Sequence, residues 1–163
     1  MPYTPILATL GYLLSENEQS VLLIHRNARA SDAHLGKYNG LGGKLEPTES
    51  VFECLNREFL EEAGITLERV ELRGTISWAG FGKAGEDWFG FIFLARGYNG
   101  DLKTSNDEGD LEWQPVTRLL DGSLPLWEGD KQFLPLVFDS DPRVFHGVMP
   151  YEGGKMLSWK YQR

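Results

Sequence analysis

The 163-residue chain has one cysteine, Cys54, and three histidines. A lone thiol excludes an intramolecular disulfide and makes a reducing, cytoplasmic location the default. With no histidine nearby to activate it, Cys54 reads as a small filler on a helix edge. His25, His34 and His146 share no metal-ligand spacing and read as structural or incidental. No run of 18 apolar residues exists, so no membrane-spanning helix is expected. The N-terminal MPYTPILATLGYLL lacks the basic region of a signal peptide and reads as a first strand. Lys and Arg number 16 against 24 Asp and Glu, a net charge of −8. That balance argues against a nucleic-acid polymer as partner, because such binders release counterions through basic patches. A small phosphorylated molecule whose charge metal ions offset stays compatible. Repeats, low-complexity tracts and interdomain linkers are also missing, which leaves a single domain over residues 1–163.

What the chain has in excess is carboxylate in one place. Residues 43 to 65 read GKLEPTESVFECLNREFLEEAGI and carry Glu49, Glu58, Glu61 and Glu62 around Arg57. Glu58, Glu61 and Glu62 stand at i, i+3 and i+4, where like charges weaken a helix. At about 100° per residue, Val51, Phe52, Leu55 and Phe59 form an apolar stripe. Glu58 and Glu62 fall on that stripe and Glu61 at its edge. Carboxylates so near an apolar face need a partner, since an unpaired buried charge is very costly. Carboxylate oxygens suit a hard cation such as Mg²⁺, with Mn²⁺ as a substitute, and such ions commonly serve phosphoryl chemistry. Arg57 can hold either a neighbouring carboxylate or a substrate phosphate in a bidentate grip.

Gly43, then Glu49, then Arg57-Glu58-Phe59-Leu60-Glu61-Glu62-Ala63-Gly64-Ile65 resembles the Nudix box position for position. Seven fixed residues at ordinary usage match by chance on the order of once in 10⁸ start points. The resemblance implies the Nudix α/β/α sandwich with a mixed β-sheet, and Mg²⁺-dependent hydrolysis of a nucleoside diphosphate linked to another moiety. It makes Glu58 and Glu62 the expected metal ligands, with the Gly42 carbonyl beside them. Glu61 is either a third ligand or the group that activates water, and Glu49 orients the loop and Arg57. Glu108, in the acidic turn Asn106 to Asp110, reads either as a further ligand or as a solvated acid.

The remaining pattern gives coarse elements. Residues 4–14 and 20–26 read as strands, 27–40 as a loop entering the box, and 69–79 and 88–97 as two further strands. Thr48 is the expected N-cap, with Glu49 in the first turn and Gly64 past the helix end. A short strand at 111–114, a short helix from Pro115 to Leu120, a helix over 128–139 containing Pro135, and a hairpin of strands 143–150 and 155–162 complete the order. It fits a mixed sheet between helices better than a doubly wound one.

Substrate preference rests on segments outside the box. Tyr38-Asn39-Gly40-Leu41-Gly42-Gly43-Lys44 and Leu126-Trp127-Glu128-Gly129-Asp130 are similar to stretches of the 8-oxo-dGTP diphosphatase subgroup. Trp127 offers a stacking surface, Asn39 both donors and an acceptor for a purine edge, Asp130 an acceptor or, if protonated, a donor, and Lys44 a charge for phosphate. The bland alternatives are core packing for Trp127, a turn role for Asn39 and a solvated Lys44. Gly129 departs from the human-type pattern, which has Asp there, whereas bacterial members show a similar TWEGD segment. The expectation is an enzyme that cleanses the nucleotide pool by converting 8-oxo-dGTP to the monophosphate and pyrophosphate, acting as a monomer or homodimer. The rivals are Nudix hydrolysis of a nucleotide sugar or dinucleoside polyphosphate, and a non-catalytic nucleotide sensor.

Overall fold

The computed structural model describes every residue from Met1 to Arg163. Its strands are β1 (Ile6–Leu14), β2 (Ser20–His25), β3 (Tyr38–Asn39), β4 (Leu41–Lys44), β5 (Ile65–Trp78), β6 (Trp88–Gly100), β7 (Ser105–Asn106), β8 (Gly109–Pro115), β9 (Phe145–Val148), β10 (Tyr151–Glu152), β11 (Lys155–Met156) and β12 (Lys160–Gln162). The helices are α1 (Val51–Ala63), α2 (Val116–Leu120) and α3 (Glu128–Phe138).

One large sheet runs β12-β9-β5-β6-β1-β2-β8-β7, with β4 on β1 and β3 on β2. It is mixed: β1 lies parallel to β6 and β5 parallel to β9, while the other pairs are antiparallel. Its central strands are apolar on both faces, the signature of a sheet covered twice. Leu13, Leu22, Phe93 and Ala95 point to one layer, where they meet Leu55, Phe59 and Ala63 of α1. Tyr12, Leu14, Val21, Leu23, Ile92 and Leu94 point to the other, against Leu119 of α2 and Phe133, Leu134 and Val137 of α3. The expected sandwich of helices around a mixed sheet is what the chain forms.

The N-cap of α1 is Ser50, whose hydroxyl accepts from the Glu53 amide at 3.1 Å, and not Thr48. Glu49 consequently lies before the helix, where its carboxylate takes the Glu46 amide at 2.8 Å. Gly64 closes the helix at φ 75°, its amide bonded to the Leu60 carbonyl. Phe52 is not on the buried stripe: it is 47% exposed, with its ring 5.3 Å from that of Phe93. Cys54 takes its place inside, fully buried against Thr9.

Two further differences matter for the site. The segment expected as a plain loop ends in β3, which bonds to β2, and then crosses at Gly40 to become β4, which bonds to β1. It fills the wedge where β1 and β2 splay apart. The terminal hairpin is also interrupted: only β10 and β11 form the tight turn around Gly153 and Gly154, while β9 and β12 pair with each other in the main sheet. No helix is long and apolar enough to cross a membrane.

Candidate active site

β4 brings Gly42 and Gly43 alongside α1. A methyl group built on Gly43 would overlap the Glu58 carboxylate, and one on Gly42 would overlap the Thr9 backbone. Neither glycine has a positive φ. Their value is closeness, since a bare backbone lets the α1 carboxylates and strand β1 come in.

Arg57 gathers the acids. Its Nε and Nη2 donate to the two oxygens of Glu49 at 2.9 and 2.6 Å, its Nη1 to Glu58 Oε1 at 2.8 Å, and Nη2 also to the Lys44 carbonyl at 3.0 Å. Glu61 Oε2 lies 3.5 Å from Nη1. The guanidinium is thus committed to carboxylates and backbone rather than open to a phosphate. It holds the Glu49 carboxyl down at about 2. Glu58 and Glu62 shift the opposite way. Burial raises both, and the neighbouring Glu108 and Glu58 push Glu62 further, with the Gly42 backbone opposing. Two half-buried carboxyls side by side, with a third near them, cannot all stay charged unaided.

Glu62, Glu108, Gly42 and Gly43 line a cleft of about 280 Å³. Asn39, Trp127 and Asp130 line the same cleft, with Thr9, Arg26, His34, Trp78, Phe81, Trp88 and Tyr151. Glu61 and Lys44 are not among its walls. Glu61 is exposed on the helix, its side chain 59% accessible, and Lys44 places Nζ 5.5 Å from the Trp88 ring. No three His, Cys, Asp or Glu side chains converge tightly enough to hold an ion by themselves. The acids fit a hard cation in kind: Glu58 and Glu62 are oxygen donors next to the Gly42 backbone, with Glu108 close enough to raise Glu62.

Two further polar groups of the lining are unspent. Asn39 Nδ2 is buried without a hydrogen-bond partner, a costly state that a bound acceptor would relieve. Asp130, in the first turn of α3, has its carboxyl pushed up to about 7 by burial, with Lys37 opposing. Trp127 is the N-cap of α3 and stands at the cleft wall rather than in the core. Gly129 is explained too: any side chain there would run into the Tyr151 hydroxyl and the Met149 sulfur. Tyr151 fills the room that an aspartate would need.

Sequence reasoning missed Arg26, His34, Phe81, Trp88 and Tyr151. Arg26 donates to Asp32 Oδ2 at 2.8 Å and reaches Glu108 at 3.5 Å. Trp88 Nε1 is a second buried donor without a partner. Strand parity offered one signal, since Trp88, Ile92 and Leu94 share a face and that face carries the cleft. The others come from segments far apart in the chain, Arg26 and His34 between β2 and β3, Phe81 between β5 and β6, and Tyr151 in β10.

The sequence profile of the NUDIX domain matches residues 4–137. The chain is 29% identical over 122 residues to the oxidized purine nucleoside triphosphate hydrolase of Danio rerio, covering 75% of this chain and 74% of that protein. It is 38% identical over 120 residues to the human 8-oxo-dGDP phosphatase NUDT18, covering 68% of this chain but only 32% of that longer protein. The crystal structure of the MutT protein from Bacillus halodurans superposes with a TM-score of 0.79 at 30% identity, covering 96% of this chain and 97% of that one.

Proposed function

The chain belongs to the NUDIX domain family, and from that premise we propose that it is a Mg²⁺-dependent pyrophosphohydrolase of oxidised purine deoxynucleoside triphosphates. Its substrate would be of the 8-oxo-dGTP kind, and its products the monophosphate and pyrophosphate. The observation that carries this reading is that one cleft is lined both by the acids Glu62 and Glu108 and by Asn39, Trp127 and Asp130. The names of the Danio rerio and human relatives point the same way.

In this reading Glu58, Glu62, Glu108 and the Gly42 carbonyl hold the metal. When bound, it supplies charge neutralisation at the phosphate oxygens and a lower pKa for coordinated water. Arg57 is a positioning residue that sets Glu58 and Glu49 in place. Glu61, open to solvent, takes the proton from the attacking water. Trp127 stacks on the base, and Asn39 donates through its unpartnered amide. Asp130, poised near neutrality, either donates or accepts. An 8-oxo lesion turns N7 of the purine from acceptor to donor, and a carboxylate accepting there distinguishes it from the parent base. Lys44 stands by the phosphate chain over the Trp88 ring.

One observation favours a second reading. The cleft adjoins a chamber of about 660 Å³ bounded by Lys44, Lys83, Phe81 and Tyr151, with room for the bulkier group of a nucleotide sugar or dinucleoside polyphosphate. A sensor role has less support, since every acid of the box is retained. Initial rates with Mg²⁺ on 8-oxo-dGTP, dGTP, ADP-ribose and diadenosine tetraphosphate decide the matter. Cleavage of 8-oxo-dGTP no faster than of dGTP or ADP-ribose refutes the proposal.

A further inference from the structure

Trp127 is a flat wall of the cleft, and one contact fixes its angle. Its indole Nε1 donates to His34 Nδ1 at 2.6 Å, and the two rings meet edge to face, centroids 5.1 Å apart and planes at 77°. The partners are 93 residues apart in sequence. Trp127 begins α3, while His34 belongs to the connection between β2 and β3. That connection is itself braced. The His34 amide donates to Asp32 Oδ1 at 2.9 Å, and Asp32 Oδ2 accepts from Arg26 Nε at 2.8 Å. A chain of side chains, Arg26 to Asp32 to His34 to Trp127, therefore ties the end of β2 to the start of α3. Lys37 completes the setting, its Nζ 5.0 Å from the indole ring.

For Nδ1 to accept, the imidazole must be neutral with its proton on Nε2. Its surroundings favour that form. Burial lowers the His34 pKa first, then Arg26; Lys83 and Lys37 add to it, and Asp32 opposes. Across the cleft and the chamber beside it, Asp130, Glu62, Glu108, Tyr151, Lys44 and Glu86 are the other titratable groups.

We propose that His34 is a positioning residue for Trp127, holding the indole at the angle at which a purine stacks, and so sets affinity for the base rather than the rate of phosphate cleavage. This rests on Trp127 being the stacking wall. As pH falls through the lowered His34 pKa, Nδ1 gains a proton and can no longer accept, and the indole loses its anchor. KM then rises on the acid side.

The test compares His34→Ala, His34→Gln, Trp127→Ala, Trp127→Phe and the double variant His34→Ala/Trp127→Phe. Steady-state kinetics use 8-oxo-dGTP, and calorimetry follows binding of 8-oxo-dGMP, with thermal melts to show that each variant is folded. His34→Ala should raise KM and Kd about fivefold, in the range of one lost hydrogen bond, with the change in KM rather than kcat. His34→Gln, whose side-chain carbonyl can accept the indole N–H, should recover most of the loss and lack the acid-side rise in KM, while any step from Asp130 remains. In the Trp127→Phe background, which has no indole N–H, His34→Ala should add nothing. Full additivity of the two substitutions overturns the proposal. If Trp127→Ala weakens binding and His34→Ala does not, this inference alone falls. If Trp127→Ala changes neither KM nor Kd, the base-pocket reading fails and takes it along.

Discussion

Replacing Gly43 with alanine tests whether the position of Glu58 governs turnover. The added carbon would lie 2.7 Å from Glu58 Oε2 and closer still to the rest of the carboxylate. Ordinary carbon–oxygen contact needs about 3.4 Å, so the carboxylate must retreat by about 1 Å. What retreats is the end of a flexible side chain, and the backbone of residue 43 has no positive φ. The fold should therefore survive. The loss falls on the 2.8 Å bond between Arg57 and Glu58, a partly exposed ion pair that contributes about 1 kcal/mol or less. For a chain of this length that is a drop in Tm of about 2–4 °C. Activity should suffer far more, since a misplacement of about 1 Å at a catalytic group costs on the order of 100-fold.

The neighbouring Gly42→Ala makes the control. There the obstruction is the Thr9 carbonyl and the Leu10 backbone, which cannot move without breaking the β1–β4 pairing. Gly42→Ala should lose cooperative unfolding or a large part of its Tm, whereas Gly43→Ala should keep its melt and lose its rate. The assay is kcat/KM on 8-oxo-dGTP with saturating Mg²⁺, beside thermal melts and calorimetric Mn²⁺ titration. Gly43→Ala with kcat/KM within threefold of the wild type would falsify the claim that Glu58 must sit where the structure puts it.

If Glu62 holds the metal as proposed, Glu62→Gln should lower kcat by orders of magnitude, yet leave Tm at neutral pH equal or higher, because burial already favours its uncharged form; a variant that keeps its rate rejects Glu62 as a metal ligand. Asp130 holds its proton up to about 7 in the folded chain, against an ordinary 3.8. Unfolding then releases a proton between those values, so its contribution is intact below about pH 4 and is lost as pH rises toward 7. Melts of Asp130→Asn should accordingly match the wild type near pH 4 and exceed it near pH 8, and equal Tm values at both pH values refute the burial argument. Cys54 is fully buried and its thiol is pushed up by burial, so iodoacetamide should leave it unmodified in the native protein and label it in urea, as mass spectrometry will show.

The acidic helix was legible because its signal is local. Glu58 and Glu62 sit one helical turn apart on the side where Leu55 and Phe59 are buried, and the flanking glycines mark the close approach. Ser50 displaced Thr48 as the cap because Glu49 is drawn back to Arg57 and the Glu46 amide, which ends the preceding turn one residue before the helix. Strands β3 and β4 were unreadable for a different reason. Their residues, Tyr-Asn and Leu-Gly-Gly-Lys, have no strand periodicity, and they are extended only because β1 and β2 diverge and leave edges to bond. His34 had no local mark at all, since its role comes from a residue 93 positions away. Gly129 was legible as an anomaly but not as a cause, which required seeing the Tyr151 hydroxyl above it.

The same wedge explains how residues from both sides of the sheet come to line one cleft. Helix α1 packs on one layer of the sheet, while Trp78, Tyr151 and α3 belong to the opposite layer. A full sheet between them would keep the α1 carboxylates away from anything bound on the α3 side. At β4 the sheet has a free edge, since that strand bonds only to β1, and two successive residues carry no side chain. Glu62 passes this thinned edge and lines the same cleft as Asn39, which lies on the β3 half of the same crossing segment. The segment from Tyr38 to Lys44 thus supplies the cleft with the Asn39 amide and the acids with a bare backbone. If that amide reads the base as proposed, a substitution that stiffened the crossing at Gly40, where an added carbon would meet the Gly11 carbonyl at 2.7 Å, should disturb both groups at once, raising KM and lowering kcat together, whereas changes at Asn39 or Glu62 alone should separate them.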